Sequence, residues 1–199
     1  MRTHVILFLA ANPRGEQALR LAKECAEIQH ELNLASHRDD FRFESRWAVG
    51  IDELMRHLME LDPTVIHFSG LGGGSAGLVL QDKQGRPQLV SARALSMMAE
   101  ATARKARVVV LNAGYSSEQA EAMRGKFDCV VGMAGEIGDD AARLFAIRFY
   151  GALANRRSIG NAVEQAIAAL AARQLPEELL PRCLTRDGID PRHLLLDPR

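Results

Sequence analysis

Apolar and polar positions along this 199-residue chain fall into two recurring patterns. Short unbroken apolar runs rich in branched residues read as strands buried on both faces, and apolar residues spaced three and four apart read as helices. Residues 4–11 form the first run and are broken by Asn12-Pro13-Arg14-Gly15. From Glu16, apolar residues recur at Ala18, Leu19, Ala22, Cys25, Ala26, Ile28 and Leu32, which is helical spacing. Phe41, Phe43, Ser45 and Trp47 then alternate with Arg42, Glu44 and Arg46, predicting a half-exposed edge strand. Ile51, Leu54, Met55, Leu58 and Met59 predict an amphipathic helix stopped by Pro63, and residues 64–69 a buried strand. Residues 77–81 and 88–90 read as a small hairpin around Asp82-Lys83-Gln84-Gly85. Ser91 is placed to cap a helix running to Arg104. Strands follow at residues 107–112 and 128–133, then two long helices near 139–154 and 158–173. Residues 176–199, with Pro176, Pro181, Pro191 and Pro198, read as a loose tail after a domain spanning residues 1–175, with a short edge strand at residues 193–196.

Strands alternating with helices imply βαβ units: one α/β domain with a doubly wound, mainly parallel sheet and helices on both faces. Two stretches organise it. Residues 65–80 run from a buried strand through a glycine-rich loop into a short strand, and residues 107–117 run from a buried strand into a small-residue loop. Side by side in a parallel sheet, these loops meet at its carboxyl edge, where α/β folds place their sites.

Composition narrows the function. Hydrophobic residues make up 47% and charged residues 25%, and 25 basic residues balance 25 acidic ones. A net charge of zero supplies no general field toward nucleic acid or an anionic membrane. The longest apolar runs are too short to span a bilayer. The N-terminal run ends in Asn-Pro-Arg-Gly with no small-residue cleavage site, and reads as a strand rather than a signal peptide. Cys25, Cys129 and Cys183 form no CxxC pair and no even disulfide framework, so a reducing cytoplasm is expected.

Candidate chemistry is sparse. The loop Gly70-Leu71-Gly72-Gly73-Gly74-Ser75-Ala76-Gly77 lacks the Lys and Ser/Thr of a phosphate-binding loop and leads into an extended segment. Arg14, in the turn before the first helix, marks a weak anion site. His67 reads as a satisfied core residue, and His4, His30, His37, His57 and His193 lie at no metal-ligand spacing. No cofactor is expected. Cys25 and Cys129 read as small hydrophobes, and Cys183 as an exposed tail residue with nothing near it to activate a thiolate. Ser69, Ser116 and Ser117 flank the loops, but neither loop holds a histidine to serve as their base.

Several blocks in order resemble one family. "Apolar strand, Phe68-Ser69-Gly70, one residue, Gly72, then Gly77-Leu78-Val79-Leu80" and "Val109-Val110-Leu111-Asn112-Ala113, one residue, Tyr115-Ser116" resemble the CHAT branch of the caspase-like cysteine peptidases. Residues 6–15, Arg46-Trp47-Ala48-Val49, residues 132–137 and the helices over residues 145–165 resemble its other blocks. The resemblance implies the caspase-like version of the fold. It also implies a histidine between the glycines of the first motif and a nucleophilic cysteine between Ala and Tyr of the second. Those positions are Leu71 and Gly114. Leucine carries no proton and glycine no nucleophile, so the resemblance implies a pseudo-peptidase, not an enzyme. The expectation is a groove lined by Ser69, Gly70, Leu71, Gly72, Asn112, Gly114, Tyr115 and Glu136 that binds a protein or peptide. Such a module fits regulation or adaptor work in a bacterial signalling or defence system. Glu136, Asp139 and Asp140 are candidates for selecting basic side chains, with helix capping the alternative for the Asp pair. Two other readings stand: a hydrolase with a different nucleophile, Cys183 or Ser116, and a nucleotide or small-ligand sensor using Arg14 and residues 72–74. A homodimer through a final edge strand is compatible with the fold but marked by no residue.

Overall fold

A computed structural model describes residues 3–11, 16–70 and 76–196. The central sheet has six strands in the order β2-β1-β3-β6-β7-β8, with a separate two-stranded hairpin β4-β5. The strands are β1 (His4–Ala10), β2 (Phe41–Trp47), β3 (Val65–Ser69), β4 (Leu78–Gln81), β5 (Pro87–Val90), β6 (Val108–Asn112), β7 (Cys129–Met133) and β8 (Pro181–Thr185). Neighbours from β2 through β7 are parallel, and β8 closes the far edge antiparallel to β7. The sheet is therefore mainly parallel with β2 at one edge, as the alternating pattern of residues 41–47 predicts.

The strands sort their side chains by parity. Ile6, Phe8, Ala10, Val65, Val108, Val110, Cys129 and Val131 face one layer; Leu7, Leu9, Ile66, Phe68, Val109, Leu111 and Val130 face the other. The first layer is α1 (Glu16–Leu34), α5 (Asp139–Ala154) and α6 (Ile159–Ala172). The second is α2 (Ile51–Leu61), α3 (Ala92–Thr102) and α4 (Ser117–Met123), with the hairpin beside them. Burial on both faces explains why β1, β3, β6 and β7 read as unbroken apolar runs. Each large side chain so buried contributes about 1.5–3 kcal/mol. Ser91 caps α3 by accepting from the Ala94 amide, and Ser158 caps α6 from Asn161.

Three local readings change. The inward face of α1 is Leu21, Glu24, Cys25, Ile28 and Leu32, while Leu19 is exposed; the helix is rotated so that a carboxylate faces the sheet. Helix α4 was not legible from residues 117–123, whose polar Ser117, Glu118 and Glu121 mask a two-turn helix that buries Gln119, Ala120 and Met123. The final segment is not loose. A 3-10 turn over Pro176–Leu179 leads into β8, so the edge strand lies at Pro181–Thr185 and not at residues 193–196. Beyond it, the carbonyls of Pro191 and Leu194 accept from the Gly160 and Ile159 amides, satisfying the open first turn of α6, and Leu194 and Leu196 are buried.

Candidate functional site

Because β1, β3 and β6 are parallel neighbours, the chain leaves all three at one end of the sheet. Ser69 ends β3 and Asn112 ends β6, and they are register partners. Both are buried, and both side chains turn toward the α1 layer and bind one group. The Glu24 carboxylate accepts from Ser69 Oγ at 2.6 Å, from Asn112 Nδ2 at 2.7 Å and from His67 Nε2 at 3.1 Å. Asn112 Nδ2 also donates to the Ala142 carbonyl of α5 at 3.0 Å. His67 Nδ1 lies 3.0 Å from the Tyr150 hydroxyl, and the imidazole stacks on Phe8 at 5.0 Å. Burial first, and then the charge of Glu24, push the Tyr150 phenol well above its ordinary pKa. Tyr150 thus keeps its proton, and the Glu24 carboxylate, which can only accept, faces Nε2–H.

A histidine, a serine and a carboxylate within hydrogen-bonding reach invite comparison with a catalytic triad. The wiring argues otherwise. The carboxylate stands between Ser69 and His67, so the imidazole does not touch the serine hydroxyl. His67 is fully buried and Ser69 nearly so. The cluster is a structural floor beneath the edge. It agrees with reading His67 as a satisfied core residue.

Above that floor the loop after β6 forms a tight turn. Tyr115 has a φ of 56°, the left-handed region, and its ring is exposed. Its amide donates to the Gly135 carbonyl at 2.9 Å, tying the loop after β6 to the loop after β7. Ser116 is fully buried: its hydroxyl donates to the Leu111 carbonyl at 2.8 Å and accepts from the Met133 amide at 3.0 Å. Both lone-pair and proton functions are committed to backbone, which removes Ser116 as a surface nucleophile. Gly114 lies between Ala113 and Tyr115 with residues 135–137 directly over it. A Cβ added at Gly114 would stand 3.3 Å from Glu136 Cα and 3.5 Å from both the Gly135 oxygen and the Ile137 nitrogen.

The anticipated site residues thus divide. Ser69 and Asn112 meet beneath the edge, Gly114, Tyr115 and Glu136 form one wall above it, and Gly70 is half-buried at the end of β3. Leu71 and Gly72 lie outside the described residues, as do Arg14 and the ligand loop at residues 72–74. Asp139 and Asp140 do not cap α5. Gly138 holds the cap position, Asp139 pairs with Arg20, and Asp140 pairs with Arg143 at 2.7 Å. The Arg143 guanidinium holds the Asp140 carboxyl below the usual range. Arg143 also donates to Glu27, so these carboxylates already have cations. Cys183 sits within β8 and not in a tail, beside the Cys129 thiol. Sequence reasoning missed Glu24 altogether. The available signal was a charged residue three after Leu21 and four before Ile28, on the inward face of α1.

Elsewhere, an apolar cavity of about 40 Å³ lies on the opposite face of the sheet among Leu54, Leu58, Phe68, Leu80, Leu95 and Phe127. It is a packing gap without polar groups, remote in character from any chemistry. An open depression of about 370 Å³ at the amino end of β6 and β7 carries Arg107, Asp128, Arg186 and His193, with both arginines already bound to Asp128. Among the described residues no three His, Cys, Asp or Glu side chains gather as a metal site, and no helix is long and apolar enough to cross a membrane.

Comparison with known proteins gives this edge a context. The family model described as CHAT domain matches residues 3–193. A Roc-COR-CHAT protease from an unknown prokaryotic organism is 28% identical over 184 residues, covering 89% of this chain and 17% of that protein. A probable protease from Gillisia limnaea is 26% identical over 157 residues, covering 78% of this chain and 28% of that protein. The chain therefore spans less than a third of the length of these curated relatives. Among solved structures, a secreted C11 cysteine protease from Bacteroides thetaiotaomicron, in complex with an irreversible peptide inhibitor, aligns with a TM-score of 0.64 at 14% identity, covering 87% of this chain and 60% of its own. The Arg-specific cysteine proteinase gingipain R aligns with a TM-score of 0.66 at 9% identity, covering 96% of this chain and 47% of its own. Separase of the Saccharomyces cerevisiae separase–securin complex aligns at 0.56 and 14% identity, covering 94% of this chain and 12% of its own. These likenesses show a caspase-like peptidase fold.

Proposed function

The chain belongs to the CHAT domain family, and from that premise we propose that this member is a pseudo-peptidase: it holds an extended protein or peptide segment at the edge formed by the loops after β3 and β6 and does not cut it. One observation carries the reading. Gly114, at the position that resembles the family's nucleophile, has no side chain, and residues 135–137 lie close over the place a Cβ would take. Leu71, at the position that resembles the base, cannot take a proton. Acyl transfer needs an activated nucleophile with a base in reach, and Ser116, the nearest alternative, spends its hydroxyl on two backbone groups. What remains is a surface at the carboxyl ends of β3 and β6 with exposed Tyr115 and Glu136 beside it, open to an extended segment through side-chain and loop contacts. In relatives several times longer than this segment such a domain is one part of a larger chain, which favours a regulatory or adaptor role in a prokaryotic signalling or defence system. A cytoplasmic setting accords with that role.

The second reading, a hydrolase with another nucleophile, is favoured by the relatives' being called proteases. Thiol- and serine-directed peptide probes separate the two. The pseudo-peptidase reading expects no residue-specific acylation and no cleavage of a peptide library. Labelling of one residue, lost together with cleavage when that residue is mutated, overturns it. The double change Leu71→His with Gly114→Cys tests the frame itself. If the two loops retain a peptidase site, Cys at 114 should alkylate about tenfold faster at neutral pH than a free cysteine, as a thiolate-favouring neighbour dictates. The 135–137 segment must yield by a few tenths of an ångström to admit it. An ordinary alkylation rate would mean that the loops no longer form such a site.

A further inference from the structure

The antiparallel register of β7 and β8 sets Cys129 opposite Thr185 and Val131 opposite Cys183. The two cysteines are therefore diagonal neighbours on the sheet face that packs against α5 and α6. Their sulfurs lie 3.3 Å apart. Cys129 is fully buried on an inner strand, whereas Cys183 is half-buried on the sheet's last strand. The thiols are not equivalent. The contact with Cys129 lowers the Cys183 pKa, against the effect of burial, and Cys183 is also the less buried of the two. The same bond, reinforced by burial, drives the Cys129 thiol far up and keeps its proton in place. The third cysteine, Cys25, is buried on α1 with its pKa raised by burial, and takes no part in the pair.

We propose that Cys129 and Cys183 form an oxidisable dithiol site for hydroperoxides, with Cys183 as the attacking sulfur and Cys129 as the resolving one. In the first step the Cys183 thiolate attacks the terminal peroxide oxygen. The O–O bond breaks, the alcohol or water leaves with a proton from solvent, and Cys183 becomes a sulfenic acid. In the second step Cys129, no longer held protonated by the Cys183 thiolate once that sulfur is a sulfenic acid, gives up its proton, and its sulfur attacks Cys183 sulfur. The S–O bond breaks, and hydroxide leaves as water with the Cys129 proton. Two thiols are oxidised and one hydroperoxide is reduced. The bond needs the sulfurs to close by a further ~1.2 Å, to about 2.05 Å. The β7–β8 ladder fixes the strands, so rotation of the two cysteine side chains has to supply that movement. The product is a reversible covalent tie between the last two strands. That tie acts on the peptide edge too, since the Leu180 carbonyl just before β8 accepts from Ala134, next to the Gly135–Ile137 wall.

The test treats the intact chain with limiting hydrogen peroxide and then blocks free thiols under denaturing conditions for peptide mapping. The expected result is an intrachain Cys129–Cys183 cross-link reversed by dithiothreitol, with one blockable thiol, Cys25, left of three. In Cys129→Ser the sulfenic acid should persist on Cys183 and be captured by a 1,3-dione; in Cys183→Ser neither remaining cysteine should react at a comparable rate. Over-oxidation of Cys183 without a cross-link, a bond between chains, or equal oxidation of all three cysteines overturns the assignment. The mapping of the unmutated chain decides this even if a variant folds poorly. A negative result leaves the pseudo-peptidase reading untouched, because that rests on residues 71 and 114.

Discussion

Replacing Glu24 with alanine tests the floor of the site most directly. The carboxylate is 5% exposed and accepts from Ser69, Asn112 and His67 at 2.6, 2.7 and 3.1 Å. Truncation leaves His67 Nε2–H with no acceptor. It leaves Asn112 with only the Ala142 carbonyl, and it frees the Ser69 hydroxyl to rotate in search of another partner. Each buried donor left unsatisfied costs about 1–3 kcal/mol, so the stranded His67 and the half-satisfied Asn112 together cost about 2–6 kcal/mol. For a domain of this size 1 kcal/mol moves Tm by about 2–4 °C, so Glu24→Ala should lower Tm by roughly 4–24 °C. Glu24→Gln keeps the volume. Its carbonyl can accept from Asn112 and His67, and its amide can donate to Ser69 Oγ once that hydroxyl turns to act as acceptor. That swap should cost only about 1 kcal/mol. Thermal and urea denaturation followed by circular dichroism would measure both. In a double-mutant cycle, Ser69→Ala should cost at least ~1 kcal/mol less in the Glu24→Ala background. The reasoning fails if alanine and glutamine are equally damaging, since the hydrogen bonds would then not be what matters. It fails equally if alanine leaves Tm within about 2 °C of the parent.

Gly132→Ala places a Cβ 2.9 Å from both Ala120 Cβ and the Ser116 carbonyl, pushing α4 off β7; a loss of about 1–3 kcal/mol is expected in urea denaturation, and a neutral result would mean that α4 is free to shift. Ser116→Ala orphans the buried Met133 amide and should cost about 1–3 kcal/mol by the same measurement, with no effect on any residual hydrolysis, because the hydroxyl faces backbone. Asp140→Asn probes the Arg143 pair. The folded pKa of Asp140 is depressed by Arg143, so its contribution is present above the unfolded value of about 3.9 and is lost as pH falls through the lower folded value. Because Asp140 is 89% exposed on its side chain, the difference from the parent should stay under about 1 kcal/mol at neutral pH and vanish near pH 2, and a gap that widened on acidification would contradict the sign.

Most of the frame was legible because it is local. Burial on both faces makes β1, β3, β6 and β7 continuous apolar runs, half-burial makes β2 alternate, and the serine caps of α3 and α6 act within three residues of themselves. The order of motifs was enough to point to the CHAT family. Local signals misled where packing overrode them. Helix α1 carries enough apolar residues for two candidate faces, and only its docking on the sheet decides that Glu24 turns in and Leu19 out. The prolines of the final segment suggested irregular chain, yet β7 offered an open edge, and pairing with it organises residues 181–185 into a strand. The candidate site depended still more on distance along the chain. Glu24 meets His67 and Asn112 across separations of 43 and 88 residues, and Cys129 meets Cys183 across 54. Residues 135–137 lie over Gly114 only because the loops after β6 and β7 leave the sheet side by side. Most of the elements, the family resemblance and the identities at positions 71 and 114 can be read along the chain; helix α4 and strand β8 cannot. Which charged and thiol groups share a neighbourhood was decided by the tertiary structure, because such contacts depend on how helices dock and strands align, and no periodicity within one segment encodes that.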